Sequence, residues 1–228
     1  MDKNIQQKVD NFFSKFKVLT YKKGENVIRG EDTPRGVCYV KSGYVKMNLI
    51  MEDGRELTVN IFKAGSYFPM IWAINNIPNI YFYQAMSEVQ LQRAPKEELL
   101  IFLKENPDVL FELFSRILTG LNALIINIGH VLSGNAYSRI ISVLVILAKR
   151  FGEKTGKDGY IIIKLPLTHQ DIANIAVITR ETVSIIIKQI ERKKIIGRQG
   201  KFLVIKSLSD LEKESFLQKE EYNLPFTA

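Results

Sequence analysis

Residues 167–196 read LTHQDIANIAVITRETVSIIIKQIERKKII, two short helical patterns joined by a turn, and this pairing constrains the fold to a helix-turn-helix. Ile172, Ala173, Ile175 and Ala176 are the apolar set of the first pattern; Val183, Ile186, Ile187 and Ile190 are that of the second. Thr168 is the expected N-cap of the first, with Asp171 three residues on, a weaker version of the usual Glu or Gln. The second leaves Arg180, Glu181, Ser184 and Lys188 on its other face and opens on Thr179-Arg180-Glu181-Thr182.

Such a face suits the major groove of DNA. Arg180 is the expected bidentate donor to guanine, and Glu181 the acceptor from cytosine that also orients Arg180. Ser184 is a weaker base-edge candidate, and Thr168, Gln170, Thr179, Thr182 and Lys188 are expected to position phosphates. Glu181 also has a purely structural role open to it, facing the helix dipole for about 0.3–1 kcal/mol, which is compatible with base contact. After Ile196, GRQGKFLVIKSL reads as a two-stranded wing with Gly197 and Gly200 in its turn, and Arg198 and Lys201 as phosphate contacts.

Charge follows the same geography. Of the formal +8, residues 1–132 carry 16 basic and 14 acidic side chains, and residues 133–228 carry 16 basic and 10 acidic. The span 164–206 alone has nine basic against three acidic, as phosphate binding requires, although a merely solvated basic face has the same composition. The single cysteine excludes an intramolecular disulfide, and one cysteine with two histidines is too few for a zinc or iron–sulfur site in one chain. No Ser-His-Asp set, metal-ligand cluster or phosphate-cradling glycine loop is found, which argues against an enzyme. No apolar run approaches a membrane span and the first residues lack a signal-peptide layout, so a soluble, cytoplasmic chain with no membrane partner is expected.

Upstream, residues 18–95 alternate apolar and polar in short runs punctuated by glycine, with Lys41-Ser42-Gly43 and Glu52-Asp53-Gly54 as turns, and suggest an antiparallel barrel or roll. Lys96 to Leu103 reads as a short helix. From Asp108 to Leu132 the spacing of Leu110, Phe114, Ile117, Leu121, Leu124, Ile128 and Val131 is a strict heptad seam, and Phe111, Leu118, Ile125 and Leu132 form a second stripe. We expect the seam to pack on a second chain and the stripe on the chain's own roll; a wholly internal helix is the competing expectation. Gly134-Asn135 breaks this helix, and Tyr137 to Phe151 is another amphipathic one. The expected organisation is α+β: an effector-sensing β-roll (1–107), a dimerisation helix (108–133) and a winged helix-turn-helix (134–228).

With that element order, and with Thr179-Arg180-Glu181-Thr182-Val183-Ser184 followed by Ile186, Lys188 and Ile190, the chain resembles the catabolite-activator-type (CRP/FNR) family of bacterial transcription regulators over nearly its whole length. Gly24, Gly43, Gly54 and Gly65 fall where that family's roll turns. The resemblance implies a homodimer on a pseudo-palindromic double-stranded operator, contact with RNA polymerase, and a small-molecule signal read in the roll. It also has departures. The glycine-glutamate and arginine-serine pairs of the cyclic-nucleotide cassette are replaced by Gly65-Ser66-Tyr67-Phe68-Pro69-Met70 and Asn79-Ile80-Tyr81-Phe82, which leaves a buried cyclic phosphate without countercharge and disfavours cyclic AMP. The cysteine cluster of the oxygen-sensing branch is absent. Ile185 stands where many relatives carry arginine, and Val177 where many carry glycine; a positive φ at Val177 would cost about 1–2 kcal/mol.

The tentative effector pocket, Tyr67, Phe68, Met70, Trp72, Tyr81, Phe82 and Tyr83, is aromatic and apolar and suits an apolar or aromatic molecule. Alternatives are that these rings simply fill the roll, or that haem binds through His130 and Met70. Cys38, in an apolar strand, reads as a small core residue. The rival reading of the whole chain is an effector-binding roll that regulates a partner protein.

Overall fold

The computed structural model describes residues 2–133, 135–155 and 159–214, without the side chains at 123, 126, 127 and 130–133. The chain forms two compact units, residues 1–116 and 117–228, whose boundary lies inside the long helix and not at either of its ends.

The first unit opens with α1 (Lys3–Phe13), capped by the Asp2 side chain on the Asn4 amide. Strands β1 (Val18–Tyr21), β2 (Asn26–Ile28), β3 (Val37–Ser42), β4 (Val45–Ile50), β5 (Glu56–Phe62) and β6 (Tyr67–Phe68) follow. Then come α2 (Met70–Asn75), β7 (Phe82–Ala85), β8 (Val89–Ala94) and α3 (Lys96–Glu105). Two antiparallel four-stranded sheets result, ordered β1-β8-β3-β6 and β2-β7-β4-β5, the roll expected from the alternation. Gly43 and Gly54 take φ of 84° and 81°, which is why turns follow Ser42 and Asp53. A Cβ on Gly43 would lie 2.2 Å from the Glu88 carbonyl, so no other residue fits there.

The strand period of two sorts the buried side chains into two clusters. Val40, Val45, Met47, Phe68, Tyr83, Val89 and Leu91 face the interior of the roll, with Cys38 fully buried among them. Val37, Tyr39, Tyr67 and Ala94 face outward and are covered by α1, α2, α3 and the start of α4 (Pro107–Ser133), through Phe12, Phe13, Ala73, Leu99, Leu103, Val109 and Leu113. The α4 residues that reach the roll are therefore Val109 and Leu113. This corrects the expectation for the second stripe: Phe111 is 73% exposed, and Leu118 and Ile125 are exposed too. The seam residues Leu110, Phe114, Ile117, Leu121, Leu124 and Ile128 are likewise exposed, while the side chains of Val131, Leu132 and His130 lie outside the described residues.

The second unit continues with α5 (Ala136–Phe151), capped by Asn135 on the Ser138 amide. Next are β9 (Gly152–Thr155), β10 (Tyr160–Ile163), α6 (His169–Ala176), α7 (Arg180–Arg192), β11 (Ile196–Gln199), β12 (Phe202–Ile205) and α8 (Leu208–Lys213). The strands form one antiparallel sheet, ordered β11-β12-β10-β9, which makes the wing part of a larger structure. Gly200 (φ 58°) makes the β11–β12 turn; Gly197, assigned to that turn from sequence, lies instead within β11 opposite Val204. Ile140, Ile141, Leu144, Ile163, Leu165, Ile172, Ile187 and Ile190 are the largest fully buried side chains of this unit.

Candidate nucleic-acid interface

The N-terminus of α6 carries a complete capping box. Asp171 donates its amide to Thr168 Oγ1 at 3.1 Å, and its carboxylate accepts from the Thr168 amide at 2.9 Å and from the Thr168 hydroxyl at 2.6 Å. Asp171 thus does what the usual Glu does, and fixes Thr168 and Gln170 at the exposed start of α6. Gln170 donates to the Asn174 side chain at 2.7 Å, which holds its amide along the helix.

At the turn, Val177 adopts the left-handed conformation (φ 56°, ψ 49°) as the C-cap of α6. Thr179 then caps α7 by accepting from the Thr182 amide at 3.3 Å, and the two hydroxyls lie 2.9 Å apart. On α7, Val183, Ile186, Ile187 and Ile190 are buried, which fixes the rotation of the helix and leaves Arg180, Glu181 and Lys188 exposed and Thr182 and Ser184 partly so. Both Arg180 and Glu181 are exposed, and neither has an ion-pair partner among the described residues.

The wing is tied back to this surface by two residues that sequence reading did not select. Arg198 donates through Nε to Glu191, near the end of α7, at 3.2 Å, and its terminal nitrogen lies 2.8 Å from Nε2 of His169, the first residue of α6. His169 is held below the usual histidine range, first by partial burial and then by the nearby cations Arg198, Arg180 and Lys188, with Glu191 opposing them. Neutral His169 can accept from the guanidinium; nothing in the spacing of 169, 191 and 198 announces the triad. Lys201, exposed at the wing turn, lies with its ammonium 5.4 Å from the Phe202 ring centroid.

The remaining candidates do not form one pocket. Phe68 and Tyr83 stack inside the roll (4.7 Å, 5°) with Phe62 against Phe68 at 4.8 Å, and Tyr81 packs beside them. Tyr67, Met70 and Trp72 instead pack into the outer cluster, because Tyr67 and Phe68 are neighbours on β6 and point to opposite faces. Burial pushes the Tyr83 and Tyr67 phenols up, the latter to about 12. Asn79, in the cassette position, spends its side-chain amide on the carbonyls of Arg29 (3.1 Å) and Tyr81 (2.9 Å). One inner-face guanidinium went unnoticed in the sequence: Arg93 shares the face of Val89 and Leu91, lies against Cys38 and donates to the Tyr21 hydroxyl at 2.8 Å.

Residues 18–106 match the family model of the cyclic nucleotide-binding domain, and residues 138–214 that of the Crp-like helix-turn-helix domain. The chain is 31% identical to the global nitrogen regulator of Nostoc sp. (strain PCC 7120) over 194 residues, covering 82% of this chain and 84% of that protein. It is 23% identical to the cAMP-activated global transcriptional regulator CRP of Salmonella typhimurium, covering 85% and 91%. Among solved structures, a CooA variant from Carboxydothermus hydrogenoformans superposes with a TM-score of 0.74 at 26% identity, covering 93% of this chain and 96% of that one. A β-roll, a long helix and a capped helix pair, in that order and with these matches, establish that the chain belongs to the CRP/FNR family of DNA-binding transcription regulators.

Proposed function

We propose that the chain works as a homodimer, each copy presenting α7 to one half of a pseudo-palindromic operator, in the cytoplasm and in contact with RNA polymerase. The observation that carries this reading is the exposed seam of α4: Leu110, Phe114, Ile117, Leu121, Leu124 and Ile128 all face solvent in the single chain, at the spacing a parallel partner helix covers. Arg180 and Glu181 read base edges, assisted by Ser184. Thr168, Gln170, Thr179, Thr182, Lys188, Arg198 and Lys201 hold phosphates and set the register. No described helix is long and apolar enough to cross a membrane, which accords with this setting.

The roll in this reading takes no cyclic AMP. The cassette positions offer neither carboxylate nor free guanidinium, the Asn79 amide is spent on backbone carbonyls, and Arg93 is engaged by Tyr21. An apolar or aromatic molecule meeting Phe68, Tyr81 and Tyr83 fits the inner face better. Haem finds little support, since Met70 packs in the outer cluster.

The test is selection from a pool of randomised duplexes, paired with sedimentation. The expected result is a dimer enriching two inverted half-sites about 10 base pairs apart, centre to centre. A monomer, or an enriched site without two-fold symmetry, overturns the dimer. Mass spectrometry of the purified protein and titration with cyclic AMP test the roll, and saturable heat with cyclic AMP overturns that part.

A further inference from the structure

Ile185 is 68% exposed, more than any other large apolar side chain described in residues 117–214. It sits in the middle of α7, yet shares nothing with the buried set Val183, Ile186, Ile187 and Ile190 that holds the helix to its unit. Glu181, Ile185 and Lys188 are spaced four and three residues apart, so they fall on one helix face, with Ser184 beside them. A lone exposed isoleucine on an ordinary surface needs no explanation. This one interrupts the polar face of a helix that the unit presents outward, where each neighbour is a hydrogen-bonding group.

The edges of base pairs in the major groove present donors, acceptors and one apolar group, the C5 methyl of thymine. Oxygen and nitrogen groups cannot be matched by an isoleucine, and leaving them unpaired beneath it would be costly. A methyl group, by contrast, gains from being covered. We propose that Ile185 is a specificity-determining residue that reads thymine by packing on its C5 methyl. The contact falls about 6 Å along α7 from Glu181, on the order of one or two base-pair steps from the pair that Glu181 faces. The inference rests on α7 being the base-reading element, and it adds to that reading an apolar contact that selects T·A over C·G and fixes which strand carries the thymine.

The experiment compares the wild-type chain with Ile185→Ala in selection from randomised duplexes. The thymines of the wild-type site are then replaced, one symmetric pair at a time, by uracil, which lacks only the methyl. The expected result is one thymine position per half-site where uracil weakens wild-type binding by about fourfold per half-site, the value of burying one methyl-sized group. Ile185→Ala binds the thymine and uracil duplexes equally and loses preference at that position alone. Because the side chain is exposed and alanine is the better helix former, the variant melts no lower than wild type, and Ile185→Thr, which retains a γ-methyl that alanine lacks, recovers part of the discrimination. Equal wild-type affinity for thymine and uracil at every position, or an unchanged selected site for Ile185→Ala, overturns the inference while leaving α7 as the reading element. A wild-type chain that enriches no sequence at all overturns that underlying reading and this one with it.

Discussion

Ile178 donates its amide to the Ala173 carbonyl at 3.2 Å, closing the turn of the helix pair around Val177 in the left-handed conformation. A β-branched residue there carries about 1–2 kcal/mol of backbone strain. Glycine removes that strain and returns about 0.4–1 kcal/mol of it through the greater freedom of the unfolded chain. Val177→Gly is therefore expected to stabilise the protein by about 0.5–1 kcal/mol and raise Tm by roughly 1–4 °C. A lowered Tm in a thermal melt would show that the packing of the valine side chain outweighs its strain.

Arg180 is exposed at the first turn of α7 with no ion-pair partner among the described residues. Arg180→Ala is expected to cost about 1–3 kcal/mol on the selected operator and to relax preference at one base pair. Fluorescence anisotropy on operator and random duplexes checks this. Equal losses on both would reduce Arg180 to a phosphate contact.

Leu121 lies at the centre of the α4 seam and is exposed in the single chain. Leu121→Lys places a charge where a partner helix must pack, and sedimentation equilibrium is expected to return the mass of one chain. A mass unchanged from wild type would locate the dimer contact elsewhere.

His169 is held below its ordinary range by burial and by Arg198, Arg180 and Lys188. Its neutral form is thus favoured in the folded state. The stability it contributes is present above the unfolded-state value of about 6.5 and is lost as pH falls through the folded value. His169→Gln, which keeps an acceptor for Arg198 but does not titrate, is expected to lose less stability than wild type between pH 8 and about 5. Parallel melting curves for the two proteins across that range would remove His169 from the account.

The readable parts of this chain were those where one physical signal dominates. The α6–α7 pair, the α4 helix and the Thr168 cap announce themselves through period and polarity, and each lies where the spacing puts it. What escaped was structure imposed by partners. The strand β9 (GEKT) has no apolar alternation of its own and exists because β10 pairs with it. The helix α2 is six residues long with no side-chain cap, held by Ala73 in the outer cluster. The stripe of α1 (Val9, Phe12, Phe13) is at helical spacing, but at eleven residues its signal is weaker than that of the strands that follow. At the interface, the residues facing outward follow from α7's buried set, whereas the Arg198–Glu191–His169 link joins three elements that only the fold brings together.

Phe68 and Tyr83 lie face to face inside the roll and are almost wholly buried. A small molecule that inserts between those two rings separates them, and Phe68 is continuous with Tyr67, whose own ring packs against the layer of helices outside. A visitor to the interior would thus be felt on the exterior through two adjacent side chains of a two-residue strand, a lever short enough to need no domain-wide rearrangement.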